Sequence, residues 1–151
     1  MQEQNFVRNL GFLLGDVARL TRTSFDRRVQ SLGLTRSQWW VLTYVYREQG
    51  LTQSALAEHL EVGKVALGNL IDRLEAKGWV ERKADQRDRR IKRIHLTATV
   101  MPIIEAMREP AQDLYETIVS GMSEKQQEAL VDLLLIVRRN LSEDIASGKD
   151  Q

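Results

Sequence analysis

Seven basic side chains crowd into residues 82–93: Arg82, Lys83, Arg87, Arg89, Arg90, Lys92 and Arg93, against Asp85 and Asp88 alone. That is a local excess of five positive charges in a chain of formal net charge +1, so the other residues sum to about −4. Guanidinium forks suit phosphate oxygens and groove edges, and a basic patch on an otherwise balanced chain is the electrostatic footprint of a nucleic-acid face. A solvated basic hairpin gives the same composition. Within the cluster, Asp88 reads as a clamp that orients a neighbouring arginine by a charge-assisted bond, not as an acid catalyst.

Other chemistries lack their parts. The chain has no cysteine and two histidines, His59 and His95, far apart in the pattern, which argues against a thiolate metal site, a disulfide framework and a zinc cluster. No nucleophile and base are paired, no glycine-rich phosphate loop is present, and no carboxylates share a face, so the expectation is no catalytic residue, no cofactor and no metal. The N-terminal residues lack the pattern of a signal peptide, and the longest apolar run, Leu133 to Val137, is far short of the roughly 20 residues that span a bilayer. A cytoplasmic protein without a membrane partner is expected.

The elements that must position the basic cluster follow from periodicity. Leu67, Leu70, Ile71 and Leu74 recur at helical spacing and put one apolar stripe on a helix that Gly78 stops. Beyond Gly78 the period changes to about two: Trp79-Val80-Glu81-Arg82 leads out and Ile91-Lys92-Arg93-Ile94-His95-Leu96 leads back, with Ile91 apart from the alternating Ile94 and Leu96, a two-stranded hairpin with a charged tip at residues 85–90. Upstream, Leu51-Thr52-Gln53-Ser54-Ala55-Leu56-Ala57-Glu58-His59-Leu60 reads as a short helix capped by Thr52. The turn Glu61-Val62-Gly63 then makes it the first half of a helix-turn-helix. Before it, Thr35 and Gln38 form a capping box for a helix over residues 37–48 with Trp39, Trp40, Leu42, Val45 and Tyr46.

The flanks read as long helices. Residues 6–32 carry Phe6, Leu10, Leu13, Leu14, Val17 and Leu20 on one stripe, with Phe25, Val29 and Leu32 rotated from it, and a single helix of that length runs on the order of 40 Å. Thr97 is expected to cap a fifth long helix to about residue 119, kinked by Pro110. Ser123 and Gln126 form a second capping box for a final helix to about Ile145 that is apolar nearly all round. Such a helix is sandwiched on two sides, and a second copy of the chain is the expected second side.

The order of parts, with LTQSALAEHL, LIDRLEAKGWVER and DQRDRRIKRIHLT, resembles the MarR family of winged-helix transcriptional regulators, and DVARLTRTSFDRRV with LTRSQWWVL looks closest to its SlyA-like branch. The similarity covers essentially the whole chain. It implies a mainly α fold, a winged helix-turn-helix with a two-stranded wing over residues 35–97, and dimerisation helices over residues 1–34 and 98–151. It also implies a homodimer on a pseudo-palindromic double-stranded DNA operator, with a recognition helix in the major groove and a wing arginine in the adjacent minor groove. By position that arginine is Arg90, with Arg87 and Arg89 beside it.

The recognition helix departs from the family pattern, reading Gly63-Lys64-Val65-Ala66-Leu67-Gly68-Asn69 where a serine cap, a proline and a hydroxyl residue are usual. Its base contacts are therefore read from its own side chains. Asn69 suits adenine, Lys64 a guanine or a phosphate, and Val65 and Ala66 thymine methyls, while Gln53, Ser54 and Arg73 are placed for phosphates. Family members commonly bind small aromatic anions in the crevice between dimerisation helices and DNA lobe. Arg19, Arg22, Trp39, Trp40 and Tyr44 are the candidates here, against the alternative of core tryptophans and solvated arginines. The functional expectation is a sequence-specific regulator, a repressor released by an aromatic or phenolic carboxylate or its coenzyme A thioester. The alternative is a winged-helix architectural or protein-interaction module without an effector.

Overall fold

The computed structural model describes residues 9–148; Phe6 and residues 149–151 lie outside the described residues. Two compact units divide within one helix, the first through Leu114 and the second from Tyr115.

In the first unit, α1 (Leu10–Arg28) starts at Asn9, whose side chain accepts from the Phe12 N–H. The expected helix over residues 6–32 does not run unbroken. It closes at Arg28, and a 3-10 turn, Gln30–Leu32, follows and ends at Gly33 with φ 69°. The rotation of the apolar face at Phe25 and Val29 is the cause: both enter the core with Leu34 and Trp39, and a tightened turn brings the chain round to them. The remaining 19-residue helix is about 28 Å long.

Helix α2 (Arg36–Arg47) starts at the complete Thr35/Gln38 capping box. Asp26 of α1 ties it down: it accepts from Arg36 Nε at 2.7 Å, again from Arg36 Nη2, and from Trp39 Nε1 at 2.7 Å. Burial works against ionisation of Asp26, but the bonds from Arg36 and Trp39 outweigh it and hold its pKa below the ordinary value. Trp39 is buried, edge-on to Phe25 at 4.7 Å.

The sheet has three strands where two were expected. Strand β1 (Leu51–Thr52) pairs antiparallel with β3 (Lys92–Leu96), Leu51 opposite Ile94, and β3 pairs with β2 (Val80–Ala84) over its whole length. Gly50, at φ 81°, turns the chain into β1 and donates its N–H to Ile94 O at 3.0 Å. Thr52 ends the strand and caps α3 (Gln53–His59) by accepting from the Ala55 N–H, so one residue serves both elements. Glu61, at φ 52°, makes the turn into α4 (Lys64–Ala76). Leu56, Ala57 and Leu60 of the α3 segment, Leu67, Leu70, Ile71 and Leu74 of α4, and Ile94 of β3 are buried together, a stripe-to-stripe packing that fixes the angle of α4.

Past β3 the expected fifth helix is in three pieces. Thr97 does not cap it; its hydroxyl donates to Gly78 O, locking the hairpin base. A 3-10 turn (Ala98–Val100) leads into α5 (Met101–Ala106), and α6 (Arg108–Val119) follows after a break at Met107. Pro110 explains the position of the break: its nitrogen cannot donate to the Ala106 carbonyl four residues back, and its ring crowds that carbonyl.

The second unit holds the end of α6 and α7 (Glu124–Ser147), which starts at the Ser123/Gln126 capping box. Val131, Leu133, Leu134, Leu135, Ile136, Leu141 and Ile145 are all exposed along it. No helix among the described residues is long and apolar enough to cross a membrane.

The two faces of α4 give a direct contrast. Leu67→Ala removes a fully buried side chain and should cost about 2–5 kcal/mol in urea unfolding, whereas Val65→Ala, at 80% exposure, should stay within about 0.5 kcal/mol.

Candidate nucleic-acid interface

Because α4 buries one stripe, its period obliges it to present the opposite one. Lys64, Val65, Ala66, Asn69, Asp72 and Arg73 are exposed, and Lys64, Val65, Ala66 and Asn69 belong to the first two turns after Gly63. Gly63 makes no side-chain cap, so the first N–H groups of α4 have no side-chain acceptor. On α3, Ser54 is exposed, while Gln53 is half-buried and accepts from Arg82 Nε at 3.2 Å. Ser54 and Arg73 thus stand on the surface, and Gln53 is engaged inside the lobe.

The wing tip is organised by Asp85, which enters the charge count only as one negative charge. One carboxylate oxygen accepts from the N–H groups of Arg87 (2.8 Å) and Asp88 (3.0 Å), an Asx turn, and the other accepts from Arg93 Nε at 2.5 Å. These contacts, the Asp88 N–H first, then Arg93 and the Arg87 N–H, outweigh partial burial and hold the carboxyl at about 2, below the usual 3.8. Arg93 passes the restraint inward through Nη1 to Gly50 O at 2.8 Å. An aspartate at the end of a strand two and three residues before free N–H groups is the signal that could have identified it.

Asp88 grips Arg90 from both sides, Nε to Oδ1 and Nη2 to Oδ2, each at 3.0 Å. The pairing lowers the pKa of Asp88 and raises that of Arg90. The Arg90 side chain is nonetheless 90% exposed, so the clamp aims it without covering it. Arg87, Arg89 and Lys92 are exposed and form no ion pair among the described residues. Arg82 differs: its side chain is 20% exposed and pairs with Asp72 and Glu75 of α4. Lys83 is exposed and pairs with Glu81 at 2.8 Å. Of the seven basic residues, then, five are exposed, Lys83, Arg87, Arg89, Arg90 and Lys92, the first paired with Glu81 and Arg90 with Asp88.

Away from this face, an aromatic row runs from α2 to α3. Arg22 lies 5.3 Å over the Trp40 ring, Trp40 is 6.3 Å from Tyr44, and Tyr44 stacks on His59 at 5.1 Å and 10°. Arg19 turns instead to Asp16, at 3.0 Å. Trp39 belongs to the core, with its indole N–H satisfied by Asp26.

A helix-turn-helix that exposes one face of its second helix beside a basic hairpin defines a winged-helix DNA-binding protein. A model described as the MarR family matches residues 32–91. The solved structure of the transcriptional regulator PA3341 is 33% identical, with TM-score 0.79 over 89% of this chain and 99% of that one. The structure of the transcriptional regulator SlyA is 31% identical, with TM-score 0.70 over 90% of this chain and 96% of that one. The uncharacterized HTH-type transcriptional regulator YybA of Bacillus subtilis (strain 168) is 27% identical over 131 residues, 87% of each chain. The chain belongs to the MarR family of DNA-binding transcriptional regulators.

Asp85 generates a pH test. Its folded pKa is depressed, so the stability it contributes is present in full above the ordinary carboxylate value and is lost as pH falls through about 2. The difference in unfolding temperature between parent and Asp85→Asn should be constant near neutrality and shrink from about pH 4 downward. A difference that does not change with pH would mean that the carboxylate charge is not what holds the tip.

Proposed function

We propose that the protein is a homodimeric repressor that reads a pseudo-palindromic operator, with residues 35–97 as the DNA lobe and residues 1–34 and 98–151 as dimerisation helices. The observation that carries this reading is the exposed Lys64, Val65, Ala66 and Asn69 face beside an exposed, clamped Arg90. Asn69 would take adenine in the major groove, Lys64 a guanine or phosphate, and Val65 and Ala66 thymine methyls. Arg90 would enter the minor groove with Arg87 and Arg89 at its edges, while Ser54, Arg73 and the α3 start would meet phosphates. Gln53 would act from within the lobe.

Dimerisation is supported by exposed apolar surface: Leu10, Leu13, Val17 and Leu20 on α1, and Val131, Leu133, Leu134, Leu135, Ile136, Leu141 and Ile145 on α7. A second copy of the chain covers identical patches at once, and two-fold symmetry then demands inverted half-sites about one helical turn apart. Selection of bound sites from random duplexes tests the reading. The parent should recover inverted repeats. Asn69→Ala should relax one base pair per half-site at a cost of roughly 1–3 kcal/mol, and Arg90→Ala should weaken binding most where the flanks are rich in A·T. Identical base profiles for the two variants would refute this division of labour.

The effector reading rests on the Arg22, Trp40 and Tyr44 row, which offers stacking faces beside a cation to an aromatic carboxylate or its coenzyme A thioester. Such a compound should lower DNA affinity by about 5–150-fold in the parent. DNA release and thermal shift, measured together across a panel of aromatic acids, should both be lost in Arg22→Ala and Trp40→Ala. Equal release from all three proteins would place the effector elsewhere.

A further inference from the structure

Arg82 is the most heavily engaged cation of the wing and the least available to DNA. Its Nη1 donates to Glu75 Oε2 at 2.7 Å, and its Nη2 forms an ion pair with Asp72 Oδ1 at 2.7 Å. Nη2 also reaches Gly68 O at 3.2 Å, and Nε reaches Gln53 Oε1 at 3.2 Å. The Arg82 backbone N–H donates to Glu75 Oε1 at 3.1 Å. Gly68, Asp72 and Glu75 stand at i, i+4 and i+7, one line along α4, and Gln53 belongs to α3. One side chain of β2 therefore joins the wing to both helices of the helix-turn-helix.

Charge and geometry together separate this role from phosphate binding. Two carboxylates surround one guanidinium, leaving the cluster net negative, so a phosphate at this point meets repulsion. A planar fork holds three acceptors and the Asp72 carboxylate in fixed directions, which an ammonium on a flexible stem does not. The wing tip lies about 10 Å beyond Arg82 along the strands, so a hairpin rotation of about 10° moves Arg90 by about 2 Å. Such a shift separates what α4 reads from what the wing reads.

We propose that Arg82 is the positioning residue that holds the wing in register with the recognition helix, and that it sets sequence specificity and not general affinity for DNA. This rests on the regulator reading above, in which Asn69 and Arg90 read adjacent grooves of one site.

The test measures affinity for the selected site and for a random duplex across a salt series, in the parent, Arg82→Lys, Arg82→Gln and Glu75→Gln. Arg82→Lys keeps the charge and should still lose about 10- to 100-fold of specific affinity, the worth of one or two mismatched base pairs. Its random-duplex affinity and its salt slope should stay as in the parent. Glu75→Gln adds a net positive charge, so a phosphate-binding role predicts tighter binding to any duplex, whereas positioning predicts a lower ratio of specific to random affinity. Site selection with Arg82→Lys should also blur the spacing between the major-groove preference and the A·T flank.

An Arg82→Lys protein with the parental affinity ratio overturns the proposal, and so does a lowered unfolding temperature with the ratio unchanged. A salt slope that falls by about one in Arg82→Gln, with specific and random affinities reduced alike, assigns Arg82 to a phosphate instead. If Arg82→Gln fails to fold, Arg82→Lys and Glu75→Gln decide the matter. A parent that selects no site sinks the regulator reading together with this one, while a parent with a site and a parental ratio in Arg82→Lys sinks this one alone.

Discussion

Two five-residue strands bury too little to hold a hairpin in one direction, and only Val80 and Ile94 of this one are buried. The wing is held by guanidinium groups that turn inward. Arg82 binds it to α3 and α4, and Arg93 binds its tip, through Asp85, to the carbonyl of Gly50. Gly50 is also the hinge into β1, whose pairing with β3 makes the third strand of the sheet. The wing, the helix-turn-helix and the strand before it thus share one set of charge-assisted bonds.

The same pairing redistributes the charge. Seven basic residues lie between positions 82 and 93, but Arg82 and Arg93 are committed to carboxylates and carbonyls of the lobe itself. What reaches solvent is a smaller, sharper cluster at the tip, with Arg90 aimed by Asp88. A diffuse basic surface would favour any duplex by counterion release, whereas a few aimed cations beside an apolar and amide-bearing helix face favour particular sequences. Asp88, which lowers the net charge of the hairpin, is what gives Arg90 its direction.

A related economy links α1 to the DNA lobe. Asp26 accepts from both Arg36 and Trp39, so the end of α1 and the start of α2 share one carboxylate, and Trp40 on the adjoining face meets Arg22 of α1. Movement of α1 against α2 must strain the Asp26 contacts or the Arg22 and Trp40 contact. Tyr44 and His59 extend the row to the end of α3, one turn of chain before the recognition helix. The row therefore joins α1 and α2 to the end of α3, the element that precedes α4.

Periodicity and capping chemistry are local, and what depends on them was legible in the chain. The Leu67, Leu70, Ile71 and Leu74 stripe, the Thr35/Gln38 and Ser123/Gln126 boxes, the Thr52 cap and the change of period after Gly78 each arise within a few residues. The exposed face of α4 followed from its buried one. The third strand was not legible, because Leu51-Thr52 is two residues long and becomes a strand only where Ile94 and Arg93 come to lie beside it. Nor was the break after Arg28, which answers to core packing around Phe25, Val29 and Trp39, or the failure of Thr97 to cap, since its hydroxyl finds Gly78 O across the hairpin. Most of all, composition records that an arginine is present and not which way it points. Arg82 and Arg90 are alike in sequence; partners 7 to 29 residues away turned the first inward, and a partner two residues away left the second in solvent. Tertiary contacts decide orientation because a long, flexible side chain takes its direction from whichever acceptors the fold brings within reach.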